Sequence, residues 1–239
     1  MTCLTKTYLA SLGPLGARRV VCVLVALWGL GFGHLGAATV NFHDVPGNAL
    51  LQADGVSALD DSFRFELGTF KSSFVPTAQN IQDWVLNWEP FSRAEAPAFN
   101  GWNSSVSYFD KDAELLPDGT SDQGLSSDVF AAGDAVYLWI YDVMTLNGAF
   151  EWALITNDSS DSNVANNWVM PDPSETFSTD FTLASASKAI WGGVNNVQGA
   201  GDFAAPLTIF HLQTHTVPEP AGAVLLLSAA GCAVMRRKR

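Results

Sequence analysis

Two carboxylates beside a tight turn are the first residues whose spacing could do chemistry. Asn147-Gly148 suits a two-residue hairpin, because both residues tolerate the positive φ of a type I′ turn. In that register Leu146 pairs with Ala149, Val143 with Trp152 and Tyr141 with Leu154, which makes Asp142 and Glu151 diagonal neighbours on one face. Diagonal positions hold Cβ atoms roughly 7–8 Å apart, close enough for the acid and base of a glycoside hydrolase. Both residues also flank a turn, where exposed polar side chains are ordinary.

A second chemistry is cation binding. Asp110, Asp112 and Glu114 recur at spacings of two and are followed by Asp118 and Asp122, a set that could wrap structural calcium, the one cofactor this sequence suggests. It is not an EF-hand, since Leu115 stands where that loop needs glycine and Ser121 where it needs the bidentate glutamate. Asn157, Asp158, Asp161 and Asn163 form a similar group, and for both groups solvated loop charge is the alternative to structural calcium. Between residues 39 and 215 the histidines are His43, His211 and His215, near the two ends of the segment, where first and last strands could pair and bring them together. His211 and His215 would share a helical face, but the residues around them read as strand, which disfavours a zinc pair. No Gly-x-Ser-x-Gly elbow occurs and no glycine-rich loop opens a helix, so acyl transfer and nucleotide binding have no support.

Aromatic rings offer a third possibility, stacking on sugars. Trp84, Trp88, Trp102, Trp139, Trp152, Trp168 and Trp191 lie in the same segment, and core packing explains most of them. Trp102 in Asn100-Gly-Trp-Asn and Trp168 in Asn166-Asn-Trp have polar, loop-like surroundings, so these two are expected to be exposed and available to a glycan.

The elements that must position these groups read as β-structure. Short runs rich in Val, Ile, Phe, Trp and Thr, separated by Gly, Asn, Asp and Pro, predict strands over 39–43, 62–67, 104–109, 135–145, 149–156, 176–183, 189–191 and 207–212. Val136, Leu138, Ile140, Ala153 and Ile155 are apolar on one face of the hairpin while Tyr141, Trp152 and Leu154 occupy the other, so these strands should be central and covered on both sides. One helix is expected over 78–88, capped by Thr77, with Ile81, Trp84, Val85 and Trp88 inward and Pro90 ending it. The fold class is therefore all-β, an antiparallel sandwich or jelly-roll-like single domain over residues 39–215 with one short helix.

Charge separates that domain from its flanks. Five of the 12 Lys and Arg but 23 of the 24 acids lie between residues 39 and 215, a net charge of −18 that makes nucleic acid an improbable partner. All three cysteines, Cys3, Cys22 and Cys232, lie outside it, so the domain has no thiol nucleophile, thiolate metal site or internal disulfide. Arg18-Arg19, an apolar run over 20–32 and Gly36-Ala37-Ala38 read as a signal peptide over 1–38, cut after Ala38 by signal peptidase. At the other end, uncharged residues 221–235 would span about 22 Å as a helix, short of a hydrocarbon core of about 30 Å. The cluster Arg236, Arg237, Lys238 and Arg239 would stay cytoplasmic, placing 39–215 outside.

The C-terminal segment, residues 216–239, carries a resemblance. Val217-Pro218-Glu219-Pro220, a short apolar helix and a terminal basic cluster resemble the PEP-CTERM sorting signal of Gram-negative bacteria, whose substrates are handled by an exosortase. The resemblance implies export across the inner membrane, transient anchoring, processing near the motif and delivery to the envelope surface or extracellular matrix. Pro218, Glu219 and Pro220 would be the residues recognised. Phe65-Glu-Leu-Gly-Thr-Phe70 and Trp84-Val-Leu-Asn-Trp88 are loosely similar to the tryptophan-rich domains of such proteins and carry over no activity. The reading is a non-enzymatic surface or matrix protein, with an exosortase-type membrane enzyme, signal peptidase and extracellular polysaccharide as partners. A calcium-dependent carbohydrate-binding module and a jelly-roll glycoside hydrolase are the alternatives.

Overall fold

The computed structural model describes residues 36–142, 144, 150–158, 166–201 and 211–218. Residues 1–35 of the expected signal peptide, the Asn147-Gly148 turn, Asp161 and Asn163, most of the strand expected at 207–212, and the tail from Glu219 onward lie outside them.

The described residues form fourteen strands. The first seven are β1 (Ala38–His43), β2 (Leu50–Leu51), β3 (Arg64–Phe70), β4 (Trp88–Glu95), β5 (Trp102–Asn103), β6 (Tyr108–Leu115) and β7 (Tyr137–Tyr141). The rest are β8 (Glu151–Thr156), β9 (Ser178–Thr182), β10 (Lys188–Trp191), β11 (Gly193–Val194), β12 (Val197–Gln198), β13 (Leu212–Gln213) and β14 (His215–Thr216). They build three sheets, ordered β5-β6-β1-β9, β10-β8-β7-β3-β4 with β14 also on β8, and β12-β11-β13-β2. The class is all-β, as the residue pattern implied. Pairing is mainly antiparallel, but β1 with β9 and β2 with β13 are parallel, so the wholly antiparallel expectation is corrected. First and last strands do not pair with each other: β1 takes β6 and β9, and β14 takes β8.

Alternation decides what each face buries. Phe65 and Leu67 of β3, Leu138 and Ile140 of β7, and Ala153 and Ile155 of β8 point into one cluster with Phe42, Phe109 and Phe181 of the first sheet. Phe65 stacks on Phe109 with ring centroids 4.3 Å apart, and such pairs add to the area they bury. The opposite face of β3, β7 and β8 supplies Phe70, Trp139, Tyr141, Trp152 and Leu154 to a second cluster, roofed by Ile81 and Trp84. Both faces of the central hairpin are therefore covered, in agreement with its pattern.

Its register differs from the expected one. Tyr141 pairs with Trp152 instead of Leu154, a slip of two residues that keeps every side chain on its expected face. Asp142 and Glu151 consequently stand opposite each other, joined by Asp142 N–H to the Glu151 carbonyl at 3.3 Å.

The expected helix is shorter and tighter. Residues Ala78–Asp83 form a 3-10 turn that runs into one α-helical turn, α1 (Trp84–Asn87), and Trp88 already begins β4. Asn80 is the cause: its Oδ1 accepts Thr77 N–H at 2.8 Å and the Trp84 indole N–H at 3.0 Å, fixing a non-helical backbone there. Pro90 lies in β4, an edge strand, where its missing N–H costs no ladder bond. The register with β3 slips there, Leu67 facing Ser92 and Gly68 facing Pro90. Any side chain at Gly68 would collide with the Glu89 carbonyl and the Trp88 ring. The strand expected at 104–109 is a 3-10 turn over Ser104–Val106, followed by β6, whose inward Phe109, Ala113 and Leu115 outweigh its outward acids.

Candidate functional site

The last described residues are part of the fold. β14 pairs along β8 with His215 facing Trp152 and Thr216 facing Glu151. Val217 then donates its N–H to the Phe150 carbonyl at 2.7 Å and buries its side chain in the tryptophan cluster. Burying such a side chain is worth about 1.5–3 kcal/mol. The Pro218 carbonyl accepts Gln82 Nε2 at 3.2 Å. Beside this exit a groove of about 570 Å³ is lined by Trp191, Gly201, Thr216 and Pro218. Of the expected sorting motif, Val217 and Pro218 are thus placed, while Glu219, Pro220 and Arg236, Arg237, Lys238 and Arg239 lie outside the described residues. At the other end Ala38, the expected signal-cleavage residue, opens β1 opposite Leu115 and is wholly buried.

The acidic positions do not converge. Asp110, Asp112 and Glu114 share the solvent face of β6, which period-two alternation makes inevitable once this segment is a strand and not a loop. Asp118 Oδ1 accepts both the N–H and the hydroxyl of Thr120, and Asp122 Oδ1 accepts Glu114 N–H at 2.9 Å. Among the described residues no three His, Cys, Asp or Glu side chains are grouped to hold a metal ion. Asn41 Nδ2 bridges Ser178 Oγ and Asp180 Oδ1, each at 2.8 Å, on the same outer face of β1 and β9.

Trp102 and Trp168 are both buried, which corrects the expectation that they are exposed. Each indole is satisfied by a residue distant in sequence: Trp102 donates Nε1 to the Asp60 carbonyl at 2.9 Å and Trp168 donates to Ser185 Oγ at 3.1 Å. Trp102 offers no ring face to a sugar, and Trp168, though it borders an open groove, is only 3% exposed. Asp142 and Glu151 are also engaged. Asp142 Oδ1 accepts Glu151 N–H at 3.1 Å, and Glu151 Oε2 accepts Ala53 N–H and the Thr214 hydroxyl, each at 2.8 Å. Glu151 therefore ties β8 to the loop after β2 and to the segment leading into β14.

Three further features stand out in the structure. Glu66, wholly buried on β3, accepts the Trp88 indole N–H at 2.7 Å and two N–H groups of Arg93 at 2.8 and 2.6 Å. Burial pushes its carboxyl above the usual range against the pull of the Arg93 guanidinium, and burial with the Glu66 charge pushes the Tyr141 phenol up. Asp44 is the second: burial raises its carboxyl, Asn48 donates to Oδ1 at 2.6 Å, and the nearby His211 and His43 pull it back. Two of the three histidines thus do approach one group, whereas His215 packs edge-on against Trp191. The third is an open groove of about 580 Å³ lined by Asn167, Val169, Asp172, Glu175, Phe177 and Asp180, among others. Phe177 is 61% exposed and Val169 39%, which makes them the apolar surface this groove offers. A lone aromatic in a polar stretch is the available signal for it.

Comparison with family models, curated proteins and solved structures returns no match. Among the described residues no helix is long and apolar enough to cross a membrane.

Proposed function

We infer that this chain is an exported cell-surface or matrix protein, sorted by a PEP-CTERM-type C-terminal signal and serving there without catalysis. The observation that carries the reading is the order of Val217-Pro218-Glu219-Pro220, fifteen uncharged residues and Arg236-Arg237-Lys238-Arg239 at the end of an acidic chain. The domain is read as a jelly-roll-like β-sandwich, supported by the contact of Phe65 on one sheet with Phe109 on another. Its partners are signal peptidase, an exosortase-type membrane enzyme and extracellular polysaccharide. The acidic surface keeps such a protein soluble in the matrix.

The test is expression of the full chain in a Gram-negative host with and without an exosortase, then fractionation. Loss of residues 221–239 and release to the surface are expected only with the enzyme, and only with an intact Pro218-Glu219-Pro220. Equal release by a triple alanine variant of that motif would refute the reading.

The groove at Phe177 favours one second reading, a glycan-binding module, because an exposed ring beside carboxylates and amides is the chemistry sugars engage. Binding on a glycan array that disappears in Phe177→Ala would support it.

A further inference from the structure

The motif that the sorting step would read begins inside the folded domain. Val217 is 3% exposed within the tryptophan cluster, its N–H is held by the Phe150 carbonyl, and the Pro218 carbonyl is held by Gln82. Immediately upstream, β14 is laddered to β8, and the His215 carbonyl accepts the Trp191 indole N–H at 3.3 Å. A peptide bond is cut where the backbone around it can leave the fold and enter an enzyme cleft. Residues up to Val217 meet that condition only if β14 is stripped from the sheet and Val217 is pulled out of the core, whereas Pro218 lies at the surface.

Resting on the sorting reading, we propose that the processed bond lies C-terminal to Pro218, so that Val217 remains in the mature protein as the plug of the tryptophan cluster, with Pro218 beside it at the surface. The enzyme then addresses the chain from Glu219 onward. In the cut, the peptide C–N bond breaks. Water supplies the hydroxyl that completes the new carboxyl group on the domain and the hydrogen that completes the amine of the departing tail. The contacts that hold β14, Val217 and Pro218 to the domain all survive the loss of the tail, so processing and folded stability do not compete.

The experiment is intact mass and C-terminal peptide sequencing of the full chain after processing in a Gram-negative host carrying an exosortase. A mature C-terminus at Pro218 or later, with residues 221–239 gone, is expected. A C-terminus at Val217 or earlier overturns the proposal and leaves the sorting reading standing. Retention of 221–239 overturns the sorting reading and the proposal with it. Val217→Ala loosens the plug without adding charge, and it is expected to lower the thermal midpoint and to yield heterogeneous ends that include cuts upstream of Pro218. An unchanged midpoint, or a single unchanged cut, overturns the claim that the fold sets the position.

Discussion

Arg93 donates its Nε and one terminal nitrogen to the same carboxylate oxygen of Glu66, at 2.8 and 2.6 Å, while the other oxygen accepts the Trp88 indole N–H. The Glu66 side chain is almost wholly buried and that of Arg93 is 31% exposed, so the pair is solvated from one side only. Removing the cation leaves a buried carboxylate without its counter-charge, a loss of about 3 kcal/mol at the exposed end of the range for such pairs. Arg93→Ala should lower the thermal midpoint by roughly 6–12 °C at that cost. Glu66→Leu with Arg93→Leu should cost less than Arg93→Ala alone, its remaining penalty being the unpaired Trp88 indole. Calorimetry of the two variants checks this, and a double variant worse than the single one would contradict it.

Stability should peak in mild acid. Burial raises the carboxyls of Asp44, Glu66 and Glu89, so between the ordinary carboxylate range and those raised values the folded chain holds protons that the unfolded chain has released. Their contribution is complete below the ordinary carboxylate pKa of about 4 and is lost as pH climbs through the raised values. Asp54, Asp118 and Asp172 run the other way, held below the usual range by hydrogen bonds from Ser57, Thr120 and Ser174 respectively. What they contribute is present above about pH 4 and lost as pH falls through their lowered values. The thermal midpoint should therefore rise as pH falls from neutral toward the ordinary carboxylate range and drop again in strong acid. Asp44→Asn should flatten the neutral side of that profile, and a midpoint that climbs steadily to pH 8 would refute the assignment.

The parts of the fold legible in the sequence are those where burial alone writes the pattern. Leu138 to Tyr141 and Trp152 to Ile155 alternate between two apolar environments, so both faces of the hairpin can be assigned although the expected register is two residues off. Register depends on a turn that the pattern does not constrain. β6 reads as a loop because Asp110, Asp112 and Glu114 are poor strand formers, yet Phe109, Ala113 and Leu115 of that segment pack inward. β4 is hidden because Pro90 signals the end of a helix and is equally at home on an edge strand. For the candidate site, Trp102 and Trp168 mislead because their Asn and Gly neighbours look like solvent-facing loops, whereas the residues that bury and satisfy the rings, Phe65 and Asp60 for one and Phe181 and Ser185 for the other, are distant in sequence. That Val217 belongs to the core is not legible, since only the arrival of β14 beside β8 puts it there.

The start of the domain makes a prediction about export. Ala38 is wholly buried and pairs with Leu115 at the end of the β1 ladder, and a side chain at Gly36 would press on Thr176. A mature chain starting at Thr39 would lack the first residue of β1, so the N-terminus is expected at Ala38 or earlier. Edman sequencing of the exported protein checks this. Ala38→Asp, which puts a charge in the core without a partner, should lower the thermal midpoint by several degrees in a chain processed upstream of it and leave one starting at Thr39 unaffected.

The acidic face of β6 should respond to ionic strength more than to the identity of the cation. Asp110, Asp112 and Glu114 stand in a row along one face of the strand, with backbones about 6.8 Å apart, and among the described residues they form no group of three that could hold a metal ion. Their row partners on β1 are His43, Asn41 and Thr39, and the Asn41 amide is already given to Ser178 and Asp180. What cations relieve here is diffuse repulsion across a surface of one sign, and screening does that without a site. Calcium chloride and sodium chloride at matched ionic strength should therefore raise the thermal midpoint by similar amounts. A saturable rise with calcium alone at millimolar concentration, abolished by Asp112→Asn, would show that the carboxylates gather around an ion after all.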